Sequence, residues 1–164
     1  MLLTAKWVLP ITAKPIVDGA IVVRGKMIEA VGEEKKLRKL YPKEEAIDFG
    51  QAVLMPGFVN VHAHLEYSVF RGVCDDLPFV PWVMQLVEKS KKLKSADWFI
   101  SAKLGALEAV HSGITCLGDI SRVGGGFQAM MESGLRGIVF YEVFGMDDSR
   151  LNQVLSKAKK ETEA

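Results

Sequence analysis

The chain has only two cysteines, Cys74 and Cys116, and they stand far apart with no CxxC spacing. That argues against a disulfide framework and against a thiolate zinc site, and it makes a reducing cytoplasm the expected compartment. No apolar run approaches the roughly 20 residues that span a bilayer. Met1 to Ile11 also lacks the charged start, apolar core and small-residue cleavage site of a signal peptide. Neither export nor a membrane partner is expected. Charge of one sign is missing as well, since 21 Lys and Arg against 20 Asp and Glu leave a net charge of +1. A phosphate backbone needs clustered cations, and here basic residues are interleaved with acidic ones, so no nucleic-acid partner is expected. The richest basic run, Lys89 to Lys94, reads as the solvated face of a helix.

What is present is the profile of an ordinary globular chain, with 49% hydrophobic and 25% charged residues in 164. That length suits one domain, or a small domain with part of a larger one. Residues 1–55 read as a β-rich unit: strands over Leu2–Leu9, Ala20–Arg24 and Met27–Val31, the last two joined by a Gly25-Lys26 turn. A short charged helix over Glu33–Tyr41 is stopped by Pro42, and Ala46–Met55 resumes as strand around Gly50-Gln51.

After Pro56 the texture changes, because short apolar runs alternate with longer stretches of helical period, the pattern of βα units on buried parallel strands. Strands are predicted over Phe58–Val61, Ile114–Ile120 and Gly137–Phe144. Helices are predicted over Pro78–Lys94, Ser95–Ser112, Gly126–Ser133 and Asp148–Ala164. Ser95 is the expected cap of the second helix, and Phe99, Ala102, Leu104, Ala106, Leu107 and Val110 its apolar face, with Gly113 and Gly134 as helix stops. The last helix places Leu151, Val154, Leu155 and Ala158 on one face, capped by Asp148 or Ser149. A β-rich start followed by βαβαβα suits either a doubly wound sheet or the beginning of a (β/α)8 barrel, which needs about 250 residues in full.

Two of the three histidines lie in the stretch PGFVNVHAHLE. His62 and His64 are two apart, so on an extended strand they project to one side, where two imidazoles suit one divalent cation. They stand at the C-terminal end of an apolar strand, the end at which barrel active sites collect, and Glu66 and Ser68 follow at once. His111 sits instead at the end of a helix before Gly113, where the helix dipole favours it. Asp119 closes the second strand toward the catalytic end, either as a polar neighbour of the site or as support for the loop after it. Gly124-Gly125-Gly126 precedes a helix; it suits an anion cradle on backbone N–H groups or a plain flexible loop.

The stretch VLMPGFVNVHAHLE resembles the amidohydrolase superfamily in its Pro-Gly turn, hydrophobic strand and HxH pair. Upstream, DGAIVVRGKMIEAVGE and AIDFGQAVLMPG are similar to the small β-sandwich that precedes the barrel in that superfamily. Downstream, FRGVCDDLPFVPWV and EAVHSGITCLGDIS look like the first βα loop and second strand of its chlorohydrolase and aminohydrolase (deaminase) branch, and HAHLE with GDIS most resembles the aminofutalosine deaminase group.

The resemblance implies an α/β chain with part of a β-sandwich in residues 1–55. Residues 56–164 would then hold strands 1–3, with their helices, of a (β/α)8 TIM barrel. His62 and His64 would be metal ligands. A bound zinc or iron ion, zinc being the primary expectation, would acidify a water for attack on a ring carbon of a small heterocyclic or nucleoside-like substrate, with loss of ammonia or chloride. Glu66 would contact substrate, or else be a solvated loop carboxylate. Trp82 would cover the pocket, or else sit in the core. The superfamily's further histidines, base glutamate and late aspartate have no counterpart in these residues. The expectation is therefore an N-terminal portion of a metal-dependent hydrolase that is inactive by itself. The alternative is a binding or assembly module completed by self-association, as a homo-oligomer, or by a separate C-terminal chain.

Overall fold

A computed structural model describes residues 1–143, 149 and 151–163. Its backbone divides into two compact units, Met1–Pro56 and Gly57–Ala164. In the first, strands β1 (Leu2–Val8), β2 (Ile16–Arg24) and β3 (Met27–Glu33) pair antiparallel in the order β3-β2-β1. Helix α1 (Glu34–Leu40) follows, and β4 (Ala46–Asp48) and β5 (Val53–Leu54) both run parallel to β1. The β2–β3 hairpin is the one expected from the glycine turn; Gly25 there has φ +57° and no neighbour within 4 Å of where a Cβ would stand. Leu2, Ala20, Val22 and Leu37 form its core, so α1 closes the sheet through a single leucine.

The second unit begins with β6 (Phe58–Ala63), passes through a 3-10 turn (Leu65–Phe70), and continues as α2 (Phe79–Ser90), α3 (Ser95–His111), β7 (Ile114–Ser121), α4 (Gly125–Ser133), β8 (Arg136–Tyr141) and α5 (Leu151–Glu163). Its three strands form a parallel sheet in the order β6-β7-β8. Alternate residues of β7, namely Leu117, Asp119 and Ser121, are buried on one face. Leu117 packs there with Ala102, Ala106 and Ala109 of α3 and Ala129 and Met130 of α4. The expected elements are present with shifted ends: α2 stops at Ser90 rather than Lys94, and β8 spans Arg136–Tyr141. The expected strand end at Phe144 and helix cap at Asp148 lie outside the described residues.

Helix α3 corrects two expectations. Its cap is Lys94, whose N–H donates to the Asp97 carboxylate at 2.8 Å, and Ser95 is already helical. Of the expected face, Ala102 and Ala106 are buried, together with Trp98, Ser101, Gly105 and Ala109, whereas Leu104, Leu107 and Val110 are exposed. A helix that is apolar nearly all round has no periodicity that selects a face, and close packing selects the small residues. Gly105 marks the tightest approach: a Cβ there would come within 2.3 Å of Ser68 Oγ in the 3-10 turn.

Candidate metal centre

Strand alternation sets the site. Ala63 packs against the helix-side core, so His62 and His64 fall on the other side of the chain. Their ring centroids are 5.3 Å apart at an interplanar angle of 71°. His62 is exposed and its N–H donates to Asn60 Oδ1 at 3.1 Å. His64 is half-buried, and its Nδ1 is enclosed without a hydrogen-bond partner among the described residues. The Tyr67 ring stands edge-on to His64 at 5.6 Å, and Trp98 of α3 stands against Tyr67 at 5.5 Å and Phe70 at 5.9 Å.

The backbone beneath this pair is held from the helix side. Ala63 is in register with Asp119 on β7, and the Leu65 N–H donates to Asp119 Oδ1 at 2.8 Å. Asp119 therefore faces the helices with Leu117 and Ser121, beneath the histidine turn rather than among the ligands. It is fully buried, with Oδ2 unpartnered among the described residues. Burial raises its carboxyl above the ordinary range, opposed by the Leu65 N–H bond, reinforced by the neighbouring Glu66 charge and opposed again by His64.

Glu66 is 0% exposed, so it is not a solvated loop carboxylate. Its Oε1 accepts bonds from Ser121 Oγ at 2.5 Å and Gly125 N–H at 2.8 Å. Its Oε2 accepts from Arg122 N–H at 2.9 Å, and the Val123 N–H is shared between both oxygens at 3.3 and 3.2 Å. The loop before α4 does cradle an anion, and the anion is this side chain.

Trp82 lies in the first turn of α2, 39% exposed, with Phe79 beside it at 5.9 Å, so it is not a core residue. His111 is the exposed last residue of α3, as its sequence context predicts. Trp98, with Arg122, Val123 and Tyr141, lines a cavity of about 610 Å³ that none of the three histidines lines. Tyr67 and Trp98 carried no signal in the sequence, because their approach to His64 depends on how α3 docks on the 3-10 turn.

Two imidazoles form a donor set that a divalent cation of borderline softness accepts. They are one short of the three protein ligands of a catalytic zinc, and among the described residues no third His, Cys, Asp or Glu joins them.

A parallel β6-β7-β8 sheet with helices on one face, and a histidine pair at the C-terminal end of its first strand, defines the N-terminal part of a (β/α)8 barrel of metal-hydrolase type. The chain belongs to the amidohydrolase family, whose model matches residues 53–163. It is 32% identical over 143 residues to the 5'-deoxyadenosine deaminase of Methanocaldococcus jannaschii, covering 85% of this chain and 34% of that protein. The Helicobacter pylori aminofutalosine deaminase, solved in complex with methylthio-coformycin, superposes with TM-score 0.77 at 23% identity, over 97% of this chain and 40% of its own. An adenosine deaminase from Xanthomonas campestris, solved with bound zinc, does so with TM-score 0.72 at 22% identity, over 98% of this chain and 38% of its own. The chain thus spans about a third of the length of the curated relatives it matches. At these identities the structural likeness carries the fold.

Proposed function

We propose that His62 and His64 are the first two protein ligands of a divalent metal, zinc in the first instance, in an aminohydrolase that deaminates or dechlorinates a nitrogen heterocycle of nucleoside-like kind. The observation that carries this reading is the placement of both imidazoles on one side at the C-terminal end of β6, with their rings 5.3 Å apart. The deaminase names of the relatives support the reaction class. A bound cation supplies a water acidic enough to act as a nucleophile near neutral pH. The chain's own residues present the two nitrogens and hold them from beneath through Asp119 and the 3-10 turn. Residues 1–55 form the β-rich domain and 56–164 the barrel part. Trp82 remains the candidate for substrate contact, on the strength of its exposed position at the start of α2. With two ligands and no assigned base, the 164-residue chain by itself releases no ammonia from an adenosine-like substrate.

Competition of zinc against a chromophoric chelator tests the ligand assignment. The wild-type chain is expected to bind one zinc per site, and His62→Ala and His64→Ala each to weaken binding by at least about tenfold. Unchanged affinity in both variants refutes it. Size exclusion on the same samples bears on the assembly reading, which the exposure of Phe58, Val59 and Val61 on β6 and Ile138 and Phe140 on β8 favours. Zinc bound only by a dimer would place the missing ligands in trans; a monomer with zinc would discard that reading.

A further inference from the structure

Glu66 and the glycine-rich loop at Gly124–Gly126 are separate features of the sequence and one device in the fold. Four successive N–H groups, from Arg122 to Gly125, surround the Glu66 carboxylate. Those of Arg122, Val123 and Gly125 donate to it directly. That of Gly124 donates to Ser121 Oγ at 3.0 Å, which in turn donates to Glu66 Oε1. Such a ring of donors is what makes a buried carboxylate tolerable, and it leaves none of these four N–H groups vacant for an anion from solution. The Glu66 backbone is held too: its carbonyl accepts from Ser101 Oγ of α3 at 2.7 Å, and that same hydroxyl accepts from the Val69 N–H at 2.8 Å.

The lever of this device is on His64, two residues upstream. Ligating histidines are usually oriented by a partner on their second ring nitrogen, and His64 Nδ1 has no such partner among the described residues. Apart from the edge-on rings of Tyr67 and His62, the ring's direction therefore rests on its backbone, pinned at Leu65 by Asp119 and at Glu66 by the loop and Ser101. We infer that Glu66 is a positioning residue for His64: a built-in anion, seated in the amide cradle of the loop after β7, that fixes the turn carrying the second histidine. This rests on the reading of His62 and His64 as metal ligands, and it assigns Glu66 a role other than substrate contact.

The test uses the full 164-residue chain, with Glu66→Gln, which keeps the shape and removes the charge and one acceptor. Three readouts are taken by NMR: amide exchange at Arg122, Val123 and Gly125, the imidazole resonances of His64 against those of His62, and cadmium titration. Expected are exchange at least about tenfold faster at the three amides, displaced His64 but not His62 ring resonances in metal-free protein, and cadmium affinity about tenfold lower or more. Faster exchange with unmoved His64 resonances would reduce Glu66 to a loop brace and overturn the inference, as would unchanged exchange. If the wild-type chain binds no cadmium through its histidines, the ligand reading fails, while the metal-free ring resonances still judge the role of Glu66. Should Glu66→Gln not fold, Ser121→Ala carries the same comparison, because it keeps the carboxylate and removes one of its donors.

Discussion

Gly126 in the first turn of α4 offers the sharpest test of the packing under the histidine turn. A Cβ at this position would stand 1.9 Å from Asp119 Oδ2, 3.0 Å from its Cγ and 3.6 Å from Ser121 Cβ. Gly126→Ala can be relieved in two ways, and both break something. Swinging the Asp119 carboxylate away takes Oδ1 off the Leu65 N–H, a bond to a charged group of about 1.5–3 kcal/mol. Lifting the first turn of α4 takes the Gly125 N–H off Glu66, at a similar cost. Overpacking itself costs about 1–3 kcal/mol, while alanine returns at most about 1 kcal/mol of helix propensity over glycine. The net expectation is a loss of about 2–4 kcal/mol. Guanidinium unfolding read by Trp98 fluorescence in a Trp7→Phe/Trp82→Phe background measures it. The cause is isolated by repeating Gly126→Ala on Asp119→Ala, where the colliding oxygen is gone and the loss should fall to about 1 kcal/mol or less. Equal losses in the two backgrounds, within about 0.5 kcal/mol, would refute the collision as the source.

Two further predictions concern the same core. Burial makes folded Asp119 hold its proton more tightly than the ordinary value of 3.8 allows, so wild-type stability falls as pH rises from that value until the folded carboxyl has ionised. Asp119→Asn keeps an acceptor for the Leu65 N–H and does not titrate; its melting temperature relative to wild type should rise across that window and level off above it. A constant difference from pH 3.5 to 8 would contradict the assignment, because the acids with lowered values, Glu44, Asp48, Glu88 and Glu132, act with the opposite sign equally in both proteins. For the α3 face, Leu117→Ala should cost about 2–5 kcal/mol in chemical denaturation, and Leu107→Ala, 59% exposed, no more than about 0.5 kcal/mol. Comparable losses would restore the large-residue face that the helical period suggested.

The elements were largely readable because their signals are local. A glycine between β-branched runs makes the β2–β3 hairpin, and left-handed Gly124 and Gly134 flank α4. The histidine pair was readable for the same reason, since residues two apart on a strand share a side whatever surrounds them. The face of α3 was readable only at Ala102 and Ala106, because Leu104, Leu107 and Val110 are at least as apolar as the alanines that won. The choice was made by how closely α3 must approach Leu117 and the 3-10 turn.

Glu66 draws the line most clearly. That an acid follows the histidines is a fact of sequence, and an acid in a loop is ordinarily solvated. Its burial needs a hydroxyl and three N–H groups from residues 121–125, more than fifty positions away, and no local pattern encodes that meeting. Covalent order and strand period, which act over a few residues, place His62 and His64 side by side and point to a metal. The fold alone brings the β7–α4 loop over Glu66 and Asp119 under Leu65, because hydrogen bonds that compensate a buried charge must come from whatever segments packing delivers there.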